Sequence, residues 1–394
     1  MKQKGMTLVE LMVAMTIGLG ITLAISSVLI ASENHKRITT STNDAQQTGS
    51  YGYYALDKAL RSAGSSIAGS AYPTDVGVLG CHLNVGNVNA TFPRLAPFPA
   101  PFGGFLGGAP NGLNVAPVLI GKTQSQDGKS DVIMIMSGSG SAGGVSRQIT
   151  GGGDAVTATL DNIVGFANND LLLVSQSGVT DCLLEEVATV TPPTPTLNLG
   201  GAYYVANATS TSMAALAAST ASYVTPLGNA AANNVQFMLF GVDNNRTLTT
   251  YDLLQNPVGG STGPQAIADG IVQMNAIYGV DTNGDGIQDE WDGPAGNWDI
   301  NTVMGSPVKM KQIVSVRVAL VVRGEYYDTK RDPTTGNPVA ISPATLTFFN
   351  GLVDHGGASL KGTIALNATE QQFRYRVFEF TVPLRNMLLL AGGP

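Results

Sequence analysis

The densest run of oxygen ligands in the sequence is DTNGDGIQDEWD, residues 281–292. Asp281, Asn283, Asp285, Asp289 and Asp292 place side-chain oxygens at loop positions 1, 3, 5, 9 and 12. Gly286 sits at position 6, and Ile287 offers its carbonyl at position 7. A hard cation takes about seven oxygens, and the glycine lets the chain fold round it. The spacing therefore predicts a structural Ca2+ site. Position 12 carries Asp where a bidentate Glu is usual, so either Asp292 binds through water or Glu290 replaces it. Gly293-Pro294 follow directly, and no exiting helix is expected. The same run also reads as a metal-free acidic turn, because Asx-Gly pairs close turns unaided.

Other patterns carry less chemistry. Gly138, Gly140 and Gly143 form a GxGxxG after an apolar strand, but more glycine-rich loop follows where a phosphate-binding helix would have to start. Gly259-Gly260-Ser261-Thr262-Gly263 matches a nucleophile elbow in letters only, since Asn256-Pro257 and Pro264 break the required strand and helix. The three histidines, His35, His82 and His355, lie far apart in the chain. No catalytic residue set emerges, and the chain is read as a non-enzyme.

A second chemical oddity is Glu10, inside the apolar run Met6–Ala31. As a helix those 26 residues would be about 39 Å long, enough to cross a hydrocarbon core of about 30 Å. An isolated carboxylate is costly in lipid. Lys2 and Lys4 precede the run and favour a cytoplasmic N-terminus. Cleavage after Gly5 would make Met6 the new N-terminus, one helical turn from Glu10. That amine, free or methylated, could neutralise Glu10 of its own chain or of a neighbour.

The rest of the chain reads as a secreted β-rich body. The whole chain has 394 residues, including 48 Gly and 20 Pro, and only 12% are charged. The formal charge is −7, which argues against nucleic-acid binding, because phosphate contacts need clustered Lys and Arg. Cys81 and Cys182 would pair in an oxidising compartment; the alternative is two buried thiols.

Lys4-Gly5-Met6-Thr7-Leu8-Val9-Glu10-Leu11 resembles the type IV prepilin signal, with Met6 where Phe is usual. Arg61-Ser62-Ala63-Gly64, Gly80-Cys81, Tyr278-Gly279-Val280-Asp281, Arg374-Tyr375-Arg376-Val377 and Val382-Pro383-Leu384-Arg385-Asn386 resemble segments of the PilW-like minor pilins, in that order. The resemblance implies a leader at 1–5, a transmembrane and assembly helix at 6–31, the periplasmic half of that helix at 32–64, and a globular body at 65–394. It implies processing by a prepilin peptidase at Gly5 and Met6, and assembly with other minor and major pilins through Glu10. The location implied is the bacterial inner membrane, single-pass with a periplasmic body, and then a fibre at the cell surface. A large body suits a tip or priming position. A type II secretion pseudopilin shares leader and helix, and a membrane-anchored binding module or adhesin is a third reading.

Coarse structure follows from periodicity. One helix is expected over 6–63, ending at Gly64, with Leu56 and Leu60 on the body. Strands are expected at 131–136, 154–160, 170–175, 182–190, 234–243, 246–254, 311–324 and 371–386, with a hairpin turn at Asp243-Asn244-Asn245. Ile267, Ile271, Met274 and Ile277 suggest a short helix over 265–279, whose latter part could instead be strand. In the last strand the apolar phase slips near Val377-Phe378; a bulge would explain it, or burial on both faces. Residues 92–110, rich in Pro, Gly and Phe, form either a covering loop or an exposed contact surface. The fold class is α+β and pilin-like: a long N-terminal helix packed on a mostly antiparallel sheet with long loops.

Overall fold

A computed structural model describes residues 7–68, 78–86, 98–108, 113–140, 145–254, 263–328, 331–332 and 334–391. The fold is the expected α+β arrangement. One helix runs from Leu8 to Ser62, and Gly64, at φ +75°, turns the chain away from its end. The Gly64 N–H donates to the Met136 carbonyl at 2.9 Å, tying the helix terminus to a core strand.

Among the described residues the strands form four sheets. A four-stranded antiparallel sheet runs in the order Glu290–Asp292, Ile271–Val280, Ile313–Arg323, Tyr375–Pro383. A five-stranded sheet runs Gln265–Ala268, Leu248–Asp252, Gln236–Val242, Val132–Ser137, Val118–Gly121. The largest sheet, of seven strands, centres on Asp170–Gln176 and Asp181–Val190. Its one parallel pair sets His82–Val85 beside the start of Asp181–Val190. There Cys81 and Cys182 form a disulfide, with Cα atoms 5.8 Å apart. A two-stranded ribbon, Thr345–Phe348 with Gly362–Ala365, completes the set.

The long helix meets the body along a seam. Ser41, Ala45, Gly49, Gly52, Leu56, Leu60 and Ala63 are buried at spacings of three and four. The lower part of that seam is small because the sheet comes very close: a Cβ on Gly49 would collide with the ring of Phe378. Next to it, Tyr53 packs edge-on to Phe380 at 4.5 Å. A glycine inside a helix costs about 1 kcal/mol against Ala, and here it admits an aromatic ring to the helix backbone.

Two expectations are corrected. Residues 265–279 form no helix: they are the strands Gln265–Ala268 and Ile271–Val280, separated by Gly270 at φ +78°. The register shifts between Ile271 and Gln273, and this irregularity puts Ile271 and Met274 into the same core. A three-residue spacing thus mimicked a helical period, while Ile277 faces the opposite cluster. The last strand has no bulge. Its pairing with Ile313–Arg323 is continuous from Tyr375 to Pro383. Phe378, Phe380 and Val382 face the main core, whereas Tyr375 and Val377 pack under the two-stranded ribbon. The slip in phase records burial on both faces.

Residues 154–160 shrink to a strand of three, Thr157–Thr159, and residues 385–391 leave the last strand as a short helix. The Asp243 turn is present: its Oδ1 accepts the N–H groups of Asn245 and Thr247, both at 2.8 Å. In the Phe-rich stretch, Phe98, Phe102 and Phe105 are buried against one another and Tyr251, so its described part is a covering loop; residues 92–97, 109 and 110 lie outside the described residues.

The seam yields a direct expectation. Gly49→Leu should lower the stability of the full chain in detergent by about 1–3 kcal/mol through overpacking, read as a fall in melting temperature. Gly18→Leu, where nothing lies within 4 Å, should leave it unchanged. Equal melting temperatures for both variants would refute the close-approach account.

Candidate assembly helix and acidic loop

The described helix begins with a capping box. Thr7 is the N-cap, and its N–H and hydroxyl both donate to Glu10 Oε2, each at 3.0 Å. The Glu10 N–H donates back to Thr7 Oγ1 at 3.4 Å. Thr-x-x-Glu before an apolar run is a start signal for a helix, and sequence reasoning had overlooked it here. The carboxylate is thereby positioned at the helix N-terminus, where a negative charge is favoured. Gly5 and Met6 lie outside the described residues, so the expected amine partner of Glu10 is not placed.

Above this cap the helix touches no part of the body for several turns. It contains a window of mean hydropathy 2.2 with none of it buried, long and apolar enough to cross a membrane. Leu8, Val13, Ile17, Leu19, Leu23, Val28 and Ile30 are each more than half exposed. Its small polar residues are satisfied internally. Thr16 donates to the Val13 carbonyl at 2.9 Å, Ser26 to Thr22 at 2.8 Å, and Ser27 to Ala24 at 2.8 Å. Such back-bonding removes donors that hydrocarbon could not satisfy. The helix is therefore one rod with two surfaces: an unpartnered apolar one below and a body-bound seam above.

The acidic loop joins Ile271–Val280 to Glu290–Asp292. Asp281 is buried, and its carboxylate closes the turn: Oδ1 accepts Gly284 N–H at 2.6 Å and Oδ2 accepts Gly286 N–H at 2.7 Å. Asn283 accepts from Asp285, and Asp285 from Ile287. Asp289 turns to Thr282, bonding its N–H at 2.8 Å and its hydroxyl at 2.7 Å. Asp292 sits apart on its strand opposite Tyr278, and its Oδ2 is buried with no hydrogen-bond partner. Burial raises its pKa above the usual carboxylate range. Glu290 bonds His355 Nδ1 at 2.6 Å. Hydrogen bonds thus link Asp281, Asn283 and Asp285 along the turn, Asp289 bonds Thr282 beside them, and Asp292 lies on the adjoining strand. Among the described residues no group of three or more His, Cys, Asp or Glu is placed to hold a metal.

Several motif residues have clear structural duties. Tyr278 is fully buried, and its hydroxyl accepts Ile120 N–H at 2.7 Å, linking the four- and five-stranded sheets. Gly279 has no room for a Cβ beside Ser315. Asn386 donates through Nδ2 to the carbonyls of Ser62 at 3.4 Å and Ala63 at 2.9 Å. Asn386 therefore caps the end of the first helix, whose last carbonyls need donors. Gly138 and Gly140 lie tight against the backbone of Leu227 and Pro226, so their spacing reflects packing; Gly143 and residues 259–262 lie outside the described residues.

Residues 202–386 match the family model of type IV pilus-assembly protein W, and residues 1–19 match the prokaryotic N-terminal methylation motif. The two matches take in the capping box with Glu10, the Tyr278–Asp281 segment and the Asn386 cap. No curated protein and no solved structure gives a significant match to the chain.

Calcium can be separated from a self-closed turn by melting. A self-closed turn predicts that about 1 mM Ca2+, the range of weak extracellular sites, leaves the melting temperature of the full chain unchanged. Asp281→Asn should lower it equally with or without the ion. A rise of several degrees on adding Ca2+, lost in Asp281→Asn, would instead establish a bound cation.

Proposed function

Taking as premise that this chain is PilW-like, with a prepilin-type leader and a type IV pilus pilin role, we propose that it is a structural minor pilin. It waits in the inner membrane with its body in the periplasm, and polymerises through its N-terminal helix into a tip or priming complex. A prepilin peptidase cuts after Gly5, and Met6 becomes the mature N-terminus. Glu10 then meets the amine of an adjacent subunit, with other minor and major pilins as partners. Burying that pair among apolar helices makes a shifted register costly, because an unpaired charge there loses its compensation.

The observation that carries this reading is the bare apolar half of the helix. It exposes large side chains along several turns, hides its own polar groups, and begins with a positioned carboxylate. A plain anchor requires the apolar surface but not the carboxylate. In the described part of the Phe-rich stretch, Phe98, Phe102 and Phe105 are buried, which lends no support to an adhesive surface there.

Two variants test the proposal in cells. Gly5→Ala should leave the leader uncleaved, seen as an unshifted mass of the membrane-bound chain. Glu10→Ala should be cleaved normally but enter sheared fibres roughly a hundred-fold less, the scale of breaking a buried ion pair. Glu10→Ala fibres carrying wild-type amounts of the chain would sink the register argument. Loss of protein secretion with fibres intact would assign the chain to a type II secretion pseudopilus instead.

A further inference from the structure

A cleft of ≈ 320 Å³ opens on the body where the four-stranded sheet loses its edge strand. That volume is at the small end of ligand clefts, which run from about 300 to 1,000 Å³. Glu290–Asp292 pairs only with Tyr278–Val280, so residues 273–276 have no strand on that side. The turn over residues 122–131, this short stretch and the two-stranded ribbon supply the lining. The main chain there is already capped. Asp131 N–H donates to the Met274 carbonyl at 2.8 Å, Met274 N–H to Ser130 Oγ at 3.0 Å, and Ala276 N–H to Asp131 Oδ2 at 2.9 Å. A ligand in the cleft is therefore read by side chains and not added as a strand.

The charges of the lining are cationic. Lys122, Lys129 and Lys361 all line it and are all exposed, and none forms an ion pair among the described residues. The lining carries one carboxylate, Asp131, which is 2% exposed. Besides Ala276 it accepts the Thr123 N–H at 2.9 Å and Asn275 Nδ2 at 3.3 Å, and burial pushes its pKa up to about 6. Its oxygens are thus spent within the protein. Glu290, Asp292 and Asp354 lie close along the chain but outside the lining. Three unpaired ammonium groups round one cleft stand out on a chain of net charge −7, and they favour an anionic ligand.

Two further features narrow the class of that anion. Gln273 Nε2 donates to Asn275 Oδ1 at 2.7 Å, which leaves the second Gln273 N–H and its carbonyl oxygen to match the acceptor and donor of a peptide group. Phe348 and Phe349 pack edge-on at 5.2 Å and are both buried, so neither ring is open to stack a sugar. The walls themselves are held in strained backbone. Thr123 at φ +51° and Phe349 at φ +53° are non-glycine residues in the left-handed region. A carboxylate pins each through its N–H: Asp131 holds Thr123, and Glu379 Oε1 holds Phe349 at 3.1 Å. Such strain persists where the surrounding structure over-determines it, and it gathers at ligand clamps.

We propose that this cleft docks a carboxylate-rich peptide segment of a partner protein, whose acidic side chains meet Lys122, Lys129 and Lys361 while a peptide group meets Gln273. The cleft lies on the body, so this docking does not depend on entry into a fibre. Fluorescence anisotropy of labelled hexaglutamate with the full chain in uncharged detergent tests it, with labelled hexaglutamine as the neutral control. Hexaglutamate should bind in about 50 mM salt and weaken in about 500 mM, and hexaglutamine should not bind. Lys122→Gln/Lys361→Gln should weaken hexaglutamate about five-fold or more, the scale of two exposed charge pairs. Lys58→Gln/Lys311→Gln removes the same charge from exposed lysines outside the lining and should leave binding unchanged. Equal melting temperatures show both double variants folded. Citrate, which offers carboxylates without a peptide group, should compete only weakly. Absence of hexaglutamate binding, or equal losses in the two double variants, overturns the site. Citrate competing as well as unlabelled hexaglutamate at equal carboxylate concentration assigns the cleft to small carboxylates and overturns the peptide claim.

Discussion

The close approach of the long helix to the strand Tyr375–Pro383 is the contact on which the architecture depends. Gly49 leaves space for Phe378, Tyr53 meets Phe380 edge-on, and Asn386 caps the helix just beyond. The first and last elements of the chain are thus clasped together, with everything between them closed into one loop of structure. A rod held this tightly at its upper half can present its lower half rigidly to other molecules. Loosen the seam, and the apolar surface that begins at Leu8 is no longer held at a defined angle to the body.

The two surfaces of that rod also divide the physical chemistry. Below, threonines and serines spend their hydroxyls on their own helix, so that beyond Glu10 the outward surface is mainly hydrocarbon. Above, small residues admit an aromatic sheet face and leucines complete the core. Ser41, buried, marks the lower end of that upper surface. The Cys81–Cys182 bridge contributes at a distance, binding the segment that follows the helix to the large sheet. By the entropic model a loop of about a hundred residues gains about 4.7 kcal/mol from such closure.

Much of this was legible in the sequence. The long helix and its glycine stop followed from period and breaker, and Leu56 and Leu60 proved buried. What periodicity could not resolve was which elements lie across a strand. The spacing of Ile271 and Met274 looked helical because an irregular register produced it. The slip at Val377-Phe378 looked like a bulge because a distant ribbon, Thr345–Phe348 with Gly362–Ala365, covers the second face. In the acidic loop the spacing marked the residues of the turn, but not that the Asp281 carboxylate closes it on the Gly284 and Gly286 N–H groups or that Asp292 lies on a strand opposite Tyr278. Glu185, wholly buried with its pKa pushed up to about 9 by desolvation, left no mark in the sequence at all.

The central claim is that the bare half of the helix exists to pack against the helices of other pilins. Val13 lies on that half, 51% exposed and far from the native disulfide. A photo-crosslinker placed at Val13 in cells reads its neighbours directly. The account predicts adducts with other pilins in sheared fibres, formed in addition to any lipid adducts in the membrane fraction. Adducts with lipid alone, and a chain absent from the fibres, would contradict it.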